Sequence, residues 1–261
     1  MLNVVVLVKQ VPDTYSERRL TETDHALDRE SVDAVLDEIN ERAVEAALQI
    51  VESHGGEVTA VCMGPDRATD AIRKALSMGA HKAVHLSDEA LRGTDAPATA
   101  RALAKVIGTL EAVDLIIAGN EATDGRSGAV PAMLAELLGW PQLTHARSVE
   151  LDGSTVRAAR ETDAGVLQLE AELPAVLSVT EKINEPRYPS FKGIMAAKKK
   201  PLSVLALADA GIDAAEVGTA HAGSRVLAAA PRPPKPAGQK LDDAGDGGTR
   251  IAEYLAAQKL V

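Results

Sequence analysis

The stretch GNEATDGRSGAVP, residues 119–131, carries three glycines, two small hydroxyls in Thr123 and Ser127, and a lead into a helix. Backbone N–H groups gathered at a helix N-terminus attract anions, because they lack intrahelical acceptors and sit at the positive end of the helix dipole. The loop therefore predicts a phosphate cradle, with an ordinary helix-starting turn as the plainer alternative. Asp124 within it either orders the loop or holds a ribose hydroxyl. Place favours the cradle. Two further apolar runs end at Lys9–Gln10–Val11–Pro12–Asp13 and Cys62–Met63–Gly64–Pro65, and ligands of open α/β sheets bind outside such strand ends.

A second stretch, NEPRYPSFKGIMAAKKK (184–200), places the only phenylalanine, Phe191, between proline, glycine and Lys192 with Lys198–Lys200. It reads as a loop. Phe191 is then either a core residue beside a solvated lysine run or an exposed anchor for a partner. Catalytic signatures are missing: there is no GxxxxGK[ST], no GxGxxG after the first strand, no HExxH and no GxSxG. His81 and His85 stand four apart but across a turn into a strand, which is poor ligand geometry. Cys62, inside an apolar run, reads as a small hydrophobe rather than a nucleophile.

The elements that must hold these residues are legible from periodicity. NVVVLV (3–8), VTAVCM (58–63), KAVHL (82–86) and DLIIAG (114–119) are short apolar runs bounded by turn residues, as buried parallel strands are. Between them RAVEAALQIVESHGG, DRATDAIRKALSMGA and DAPATARALAKVIGTL space their apolar residues at three and four, and a further helix is predicted over 127–139. Such a βαβα series predicts an α/β, doubly wound, mostly parallel sheet. After residue 142 the segments LTHARSVELDG, STVRAARETDAG, VLQLEAELP and AVLSVTEK predict an antiparallel meander at the sheet edge. Residues 231–248 are Pro/Gly-rich, and TRIAEYLAAQKLV (249–261) resumes a helix. The expected division is a domain over 1–230 and a C-terminal arm over 231–261, whose helix packs on a partner chain or folds back.

Composition narrows the class. Of 261 residues 46% are apolar but only 2% aromatic, which suits an aliphatic sheet core under Ala-rich helices. A net charge of −10 argues against nucleic-acid binding. The lone Cys62 excludes an internal disulfide. No apolar run approaches the roughly 20 residues that span a bilayer, and MLNVVVLVKQ reads as a first strand rather than a signal peptide. A cytoplasmic protein without direct membrane insertion is expected.

Together these segments resemble the β (small) subunit of electron transfer flavoprotein along nearly the whole chain. The motifs are VLVKQVPD (6–13), NERAVEAAL, AVCMGP (60–65), ALSMGAHKAVHL (75–86), GNEATDG…PAMLAELLGWPQ (119–142), and VRAARETDAGVLQLEAELPAVLSVT (156–180) running into NEPRYPSFKGIMAAKKK. The resemblance implies a Rossmann-like, adenine-nucleotide-binding fold and an electron carrier rather than an independent enzyme. A larger α subunit holds the redox FAD. The heterodimer takes electrons from acyl-CoA and related dehydrogenases, as in fatty acid oxidation, and passes them to a quinone oxidoreductase. The small subunit buries a structural AMP or, in bifurcating members, a second FAD in its place.

Carried over by position, the resemblance lines the nucleotide pocket with Leu7, Lys9, Asp37, Met63, Asp124, Ser127, Gly128, Ala129 and Val130. It puts Tyr15, Ile39 and Glu161 near the α-subunit FAD, and makes Phe191, with Tyr188, Ile194 and Met195, the dehydrogenase-docking surface. An aromatic is common where Ile39 stands, and Ala129–Val130–Pro131 replaces a Gln-Val-Gly-Pro run in a shorter loop, which leaves the identity of the nucleotide open. Two other classes fit the fold: a free-standing adenine-nucleotide protein, for which the SGGxDS-type loop is missing, and a structural subunit with an empty cleft.

Overall fold

The alternating runs build a nine-stranded sheet in the computed structural model, which describes every residue except 236, 239 and 241. The chain forms two compact units, Met1–Val226 and Leu227–Val261. In the first, β1 (Leu2–Val8) passes through a small antiparallel ribbon, β2 (Gln10–Pro12) and β3 (Ala34–Leu36), into α1 (Glu38–His54). Then follow β4 (Gly56–Met63), α2 (Thr69–Met78), β5 (Lys82–Leu86), α3 (Ala96–Gly108), β6 (Leu115–Gly119) and α4 (Val130–Leu138). The remainder is β7 (Gln142–Asp152), β8 (Thr155–Thr162), β9 (Gly165–Glu172), β10 (Ala175–Val179), a short α5 (Phe191–Ala197) and β11 (Leu202–Leu205).

The strand order is β11-β5-β4-β1-β6-β10-β7-β8-β9, parallel except for the β7–β8–β9 pairings. From β1 the chain builds outward through β4 and β5, then returns to lay β6 on β1's other side. Between β1 and β6 the connections leave in opposite directions, and this reversal opens a crevice at the strand ends.

Period-two alternation fills both faces. Val4, Val6 and Val8 of β1 join Val44, Leu48, Ile72 and Leu76 of α1 and α2 in one core. Val5 and Leu7 join Leu103, Val106 and Leu134 of α3 and α4 in the other. The sheet is doubly wound, as the series implies. Cys62 lies wholly buried in the first core, and burial pushes its thiol up to about 12, so it packs as a hydrophobe. His85 is buried with Nε2 3.0 Å from the Gly64 carbonyl, while His81 Nδ1 accepts the Val58 N–H at 3.0 Å. Both serve backbone groups of the β4 run, at its start and just past its end.

Two expectations need correction. Only three of the four late segments form the antiparallel meander; β10 runs parallel, inserted between β6 and β7. All five of its residues, AVLSV, are buried, so it belongs to the interior of the sheet and not its edge. The Phe191 segment is also not a loop throughout. The Ser190 hydroxyl accepts the Gly193 N–H at 3.0 Å and caps α5. The second unit ends in α6 (Gly247–Ala257), none of whose residues is buried, with Ile251 and Tyr254 exposed.

Candidate functional site

At the mouth of the crevice one buried carboxylate ties three elements together. Asp37 ends the ribbon and caps α1, its Oδ1 accepting the Ile39 N–H at 2.9 Å. Its Oδ2 accepts both the backbone N–H and the hydroxyl of Thr123, each at 2.7 Å, from the loop after β6. Its own N–H donates to the Lys9 carbonyl at 3.0 Å, and the Lys9 N–H donates to Asn40 Oδ1 at 2.8 Å. A charge wholly out of water is tolerable here because three donors and the positive end of α1 surround it. Asp37 therefore lies beneath the crevice rather than lining it.

The same closeness explains Gly119. A Cβ there would stand 2.7 Å from Asn40 Nδ2 and 3.0 Å from Ile39 Cγ2, so β6 has to end in glycine for the loop to meet α1. Ile39 is consequently buried behind the loop.

Asp124 answers the question its sequence position raised. Its side chain has no exposure; Oδ1 takes Lys9 Nζ at 3.0 Å and the Gly125 N–H at 2.7 Å, and Oδ2 takes the Arg29 guanidinium. Both oxygens are committed to the protein, so this residue orders the loop. Burial alone would push its carboxyl up, but the charges of Lys9 and Arg29 outweigh that and hold it below the usual aspartate value.

Past Asp124 the backbone turns through Arg126 and Gly128, both at positive φ (51° and 62°), into α4. Among the described residues the N–H groups of Ser127, Gly128, Ala129 and Val130 have no acceptor, whereas those of Thr123, Gly125 and Arg126 do. Four free donors at a helix start, small side chains around them and two nearby cations fit a phosphate group. Leu7 is buried near the end of β1 and Met63 is half-buried at the end of the neighbouring β4. Of the nine residues expected to line a pocket, eight lie at adjoining strand ends and on one loop, and Asp37 lies beneath them as the cap of α1.

Tyr15, Ile39 and Glu161 are not joined to one another by any hydrogen bond. Tyr15 is 98% exposed, and Glu161, at the end of β8, is bound by Lys182 at 2.9 Å and Arg147 at 3.2 Å. Those partners, the Lys182 hydrogen bond first, hold its carboxyl below the usual value.

The segment around Phe191 forms a second surface. Arg187 Nε binds Glu45 at 2.7 Å and its Nη1 binds Glu52 at 2.5 Å, both on α1. Asn184 Nδ2 donates to the Arg42 carbonyl at 3.0 Å, and Arg42 donates back to the Asn184 carbonyl. Arg73 on α2 donates to the Ala197 carbonyl at 2.7 Å. Lys200 points inward, its Nζ on the carbonyls of Leu76 (2.9 Å) and Ala80 (2.6 Å), so only Lys192, Lys198 and Lys199 project. Gly193 lies so close to α2 that a Cβ would meet the Ser77 carbonyl oxygen at 2.6 Å. On this fixed base Tyr188 is 94% and Phe191 80% exposed, with Ile194 and Met195 beside them about half exposed. Phe191 is not a core residue.

Fold and site together define an α/β protein with a loop of free backbone N–H groups at the switch point of its sheet. The chain belongs to the electron transfer flavoprotein family, whose "Electron transfer flavoprotein domain" model matches residues 24–210. It is 61% identical to the electron transfer flavoprotein subunit beta of Mycobacterium tuberculosis, with 100% of each chain covered. The protein of that name from Mycobacterium leprae is 60% identical over 100% of both chains. The one from Thermoanaerobacterium thermosaccharolyticum is 39% identical over 87% of each.

Sequence reasoning missed Arg29, Arg67, Asn40 and the Arg187–Glu45 pair as structural parts of these surfaces. Asn40 lies inside the quoted NERAVEAAL motif. Arg29 had no local signal, because its partner is 95 residues away. No described helix is long and apolar enough to cross a membrane.

Proposed function

We propose that this chain is the small subunit of a heterodimeric electron carrier. Its partner is an α subunit that holds FAD, the source of the pair's one- and two-electron chemistry when bound. The chain itself performs no bond-making catalysis. It supplies a nucleotide crevice, part of the flavin's surroundings near Tyr15, Ile39 and Glu161, and a docking surface for acyl-CoA and related dehydrogenases, from which electrons pass on to a quinone oxidoreductase.

The crevice holds AMP. The four unpartnered N–H groups of Ser127–Val130 are the observation that carries this reading. They take the phosphate, Lys9 adds charge, and Leu7 and Met63 border the remainder. Asp37 and Asp124 fix the loop and leave ligand contacts to the backbone. Phe191 is the anchor of the docking surface: one exposed apolar side chain on a rigid base, rimmed by cations, suits a small and transient interface.

The test is to co-purify the chain with its α subunit, denature the complex and count released nucleotides. One FAD with one AMP per heterodimer is expected. Two FAD and no AMP would move a second flavin into this crevice and make bifurcation the function. An absence of any adenine nucleotide besides the α-subunit FAD would overturn the nucleotide reading.

A further inference from the structure

Residues 13–33, between β2 and β3, form an excursion in which no residue is buried. Its ends are joined by the Asp13 N–H on the Asp33 carbonyl at 2.9 Å. Within it a small hairpin is closed by the Thr21 N–H on Ala26 O (2.8 Å) and the Asp28 N–H on Arg19 O (2.9 Å). A segment with no fully buried residue draws little stability from the core and sits toward the readily opened end of a protein's local stabilities.

The side-chain ties that attach it to the rest of the unit are polar, two of them ionic. Arg29 pairs with Asp124 on the loop after β6, Arg67 after β4 donates to the Arg29 carbonyl, and Asp24 meets Arg92 at 3.5 Å. Gln10 Nε2, just past β1, donates to the Arg67 carbonyl at 2.9 Å and closes the circuit. Arg29 thus draws the excursion across the ends of β4, β1 and β6, the three strand ends that border the crevice. The Asp24–Arg92 pair has its arginine 68% exposed and contributes little. The Arg29–Asp124 pair has its carboxylate entirely out of water, where an ionic contact counts for more.

We infer that Arg29 is a latch: it closes the 13–33 arm over the crevice and so sets how long a phosphate-bearing adenine nucleotide stays bound. This rests on the nucleotide reading proposed above and deepens it. Asp124 carries one negative charge against two cations, Lys9 and Arg29, and stands three residues before the first free N–H of the cradle. A phosphate seated there balances the surplus positive charge, so anion binding and arm closure support each other. Arg29 is a positioning residue; it acts through Asp124 and the arm.

The experiment uses the chain complexed with its α subunit and loaded with labelled AMP, chased with unlabelled AMP. Arg29→Gln is expected to release AMP about tenfold faster or more, the scale of a lost charged hydrogen bond. Arg29→Lys recovers part of the retention, since it keeps the charge without the fork geometry. Arg67→Gln, which loses only the contact to the Arg29 carbonyl, shows a smaller effect in the same direction. Added salt hastens release from wild type and changes Arg29→Gln little. Trypsin cuts the arm after Arg18 or Arg19 faster in Arg29→Gln than in wild type, with melting temperature and α-subunit FAD content reporting that the fold is intact. AMP release from all three variants at the wild-type rate overturns the latch while leaving the nucleotide reading in place. A wild-type complex that holds no adenine nucleotide in this crevice overturns both, and is recognised before any variant is made.

Discussion

The crevice and the Phe191 platform are both fastened to α1, by opposite means. At the first turn of the helix Asp37 is buried and gathers N–H and hydroxyl donors from its own cap and from Thr123. Two and four turns further on, the buried Glu45 and the exposed Glu52 together hold Arg187, whose guanidinium is partly in water. Directional bonds to a buried carboxylate fix a backbone to a fraction of an ångström and are barely screened by salt. Ion pairs at the rim hold a side chain more loosely and weaken as salt rises. A nucleotide cradle made of backbone needs the first kind of support. A docking surface of the kind proposed for Phe191 tolerates the second.

This contrast breaks most sharply at Asp37. Replacing it with alanine removes the α1 cap and leaves the Thr123 N–H and hydroxyl without an acceptor. The expected loss is about 3–4 kcal/mol of unfolding free energy, read by denaturant titration. A loss below about 1 kcal/mol would show that Asp37 is not the clamp. Next comes Gly193→Ala, which forces a methyl against the Ser77 carbonyl and lifts α5 from α2. About 1–3 kcal/mol is expected, with dehydrogenase docking lost and AMP content kept. Equal loss of AMP would show that the two regions are coupled and not separate.

Glu45→Gln tests the anchorage of Arg187. Its carboxyl, which burial would push up, is held below the usual value by Arg187 and Gln49. With Glu45 buried and Arg187 partly in water the expected cost is about 1–2 kcal/mol, screened by salt only on the Arg187 side, whereas the Asp37 effect is insensitive to salt. Acid gives a sharper version. Glu45 and Asp124 both have depressed values, so their contributions are complete above the unfolded values of 4.5 and 3.8 and fade as pH falls below them. AMP retention and docking should therefore both be flat between about pH 6 and 8; a step in that window would contradict the assignment.

The smallest effect on stability is expected from Phe191→Ala, within about 0.5 kcal/mol because the ring is exposed. Electron transfer from the dehydrogenase should nevertheless slow markedly, with flavin content unchanged. Loss of FAD in that variant would sink a docking-only role.

Much of this was legible in the sequence because the physics is local. Val4–Val8 alternate between two cores, and NVVVLV shows that as an unbroken apolar run. The loop from Gly119 to Pro131 announced itself by glycines and hydroxyls at a strand end. What stayed hidden depends on distance along the chain. The Arg29–Asp124 pair joins a featureless polar stretch to the loop across 95 residues. The helical form of α5 was masked by Pro186, Pro189 and Gly193, since nothing local says that Gly193 is there to admit the Ser77 carbonyl. The parallel direction of β10 is hidden because AVLSV directly follows alternating strands in the chain, and only its continuous apolar character sets it apart.

The place of β10 also bears on how the chain matures. The hairpins β7–β9 are synthesised before β10, yet β10 lies between them and β6. During synthesis the sheet therefore exists as two blocks, one ending at β6 and the other beginning at β7, each with an unpaired edge. Neither edge is closed until residue 179 has left the ribosome, and open edges invite pairing with other chains. Chains that end before residue 175 should bind chaperones and aggregate more than chains that extend past residue 179.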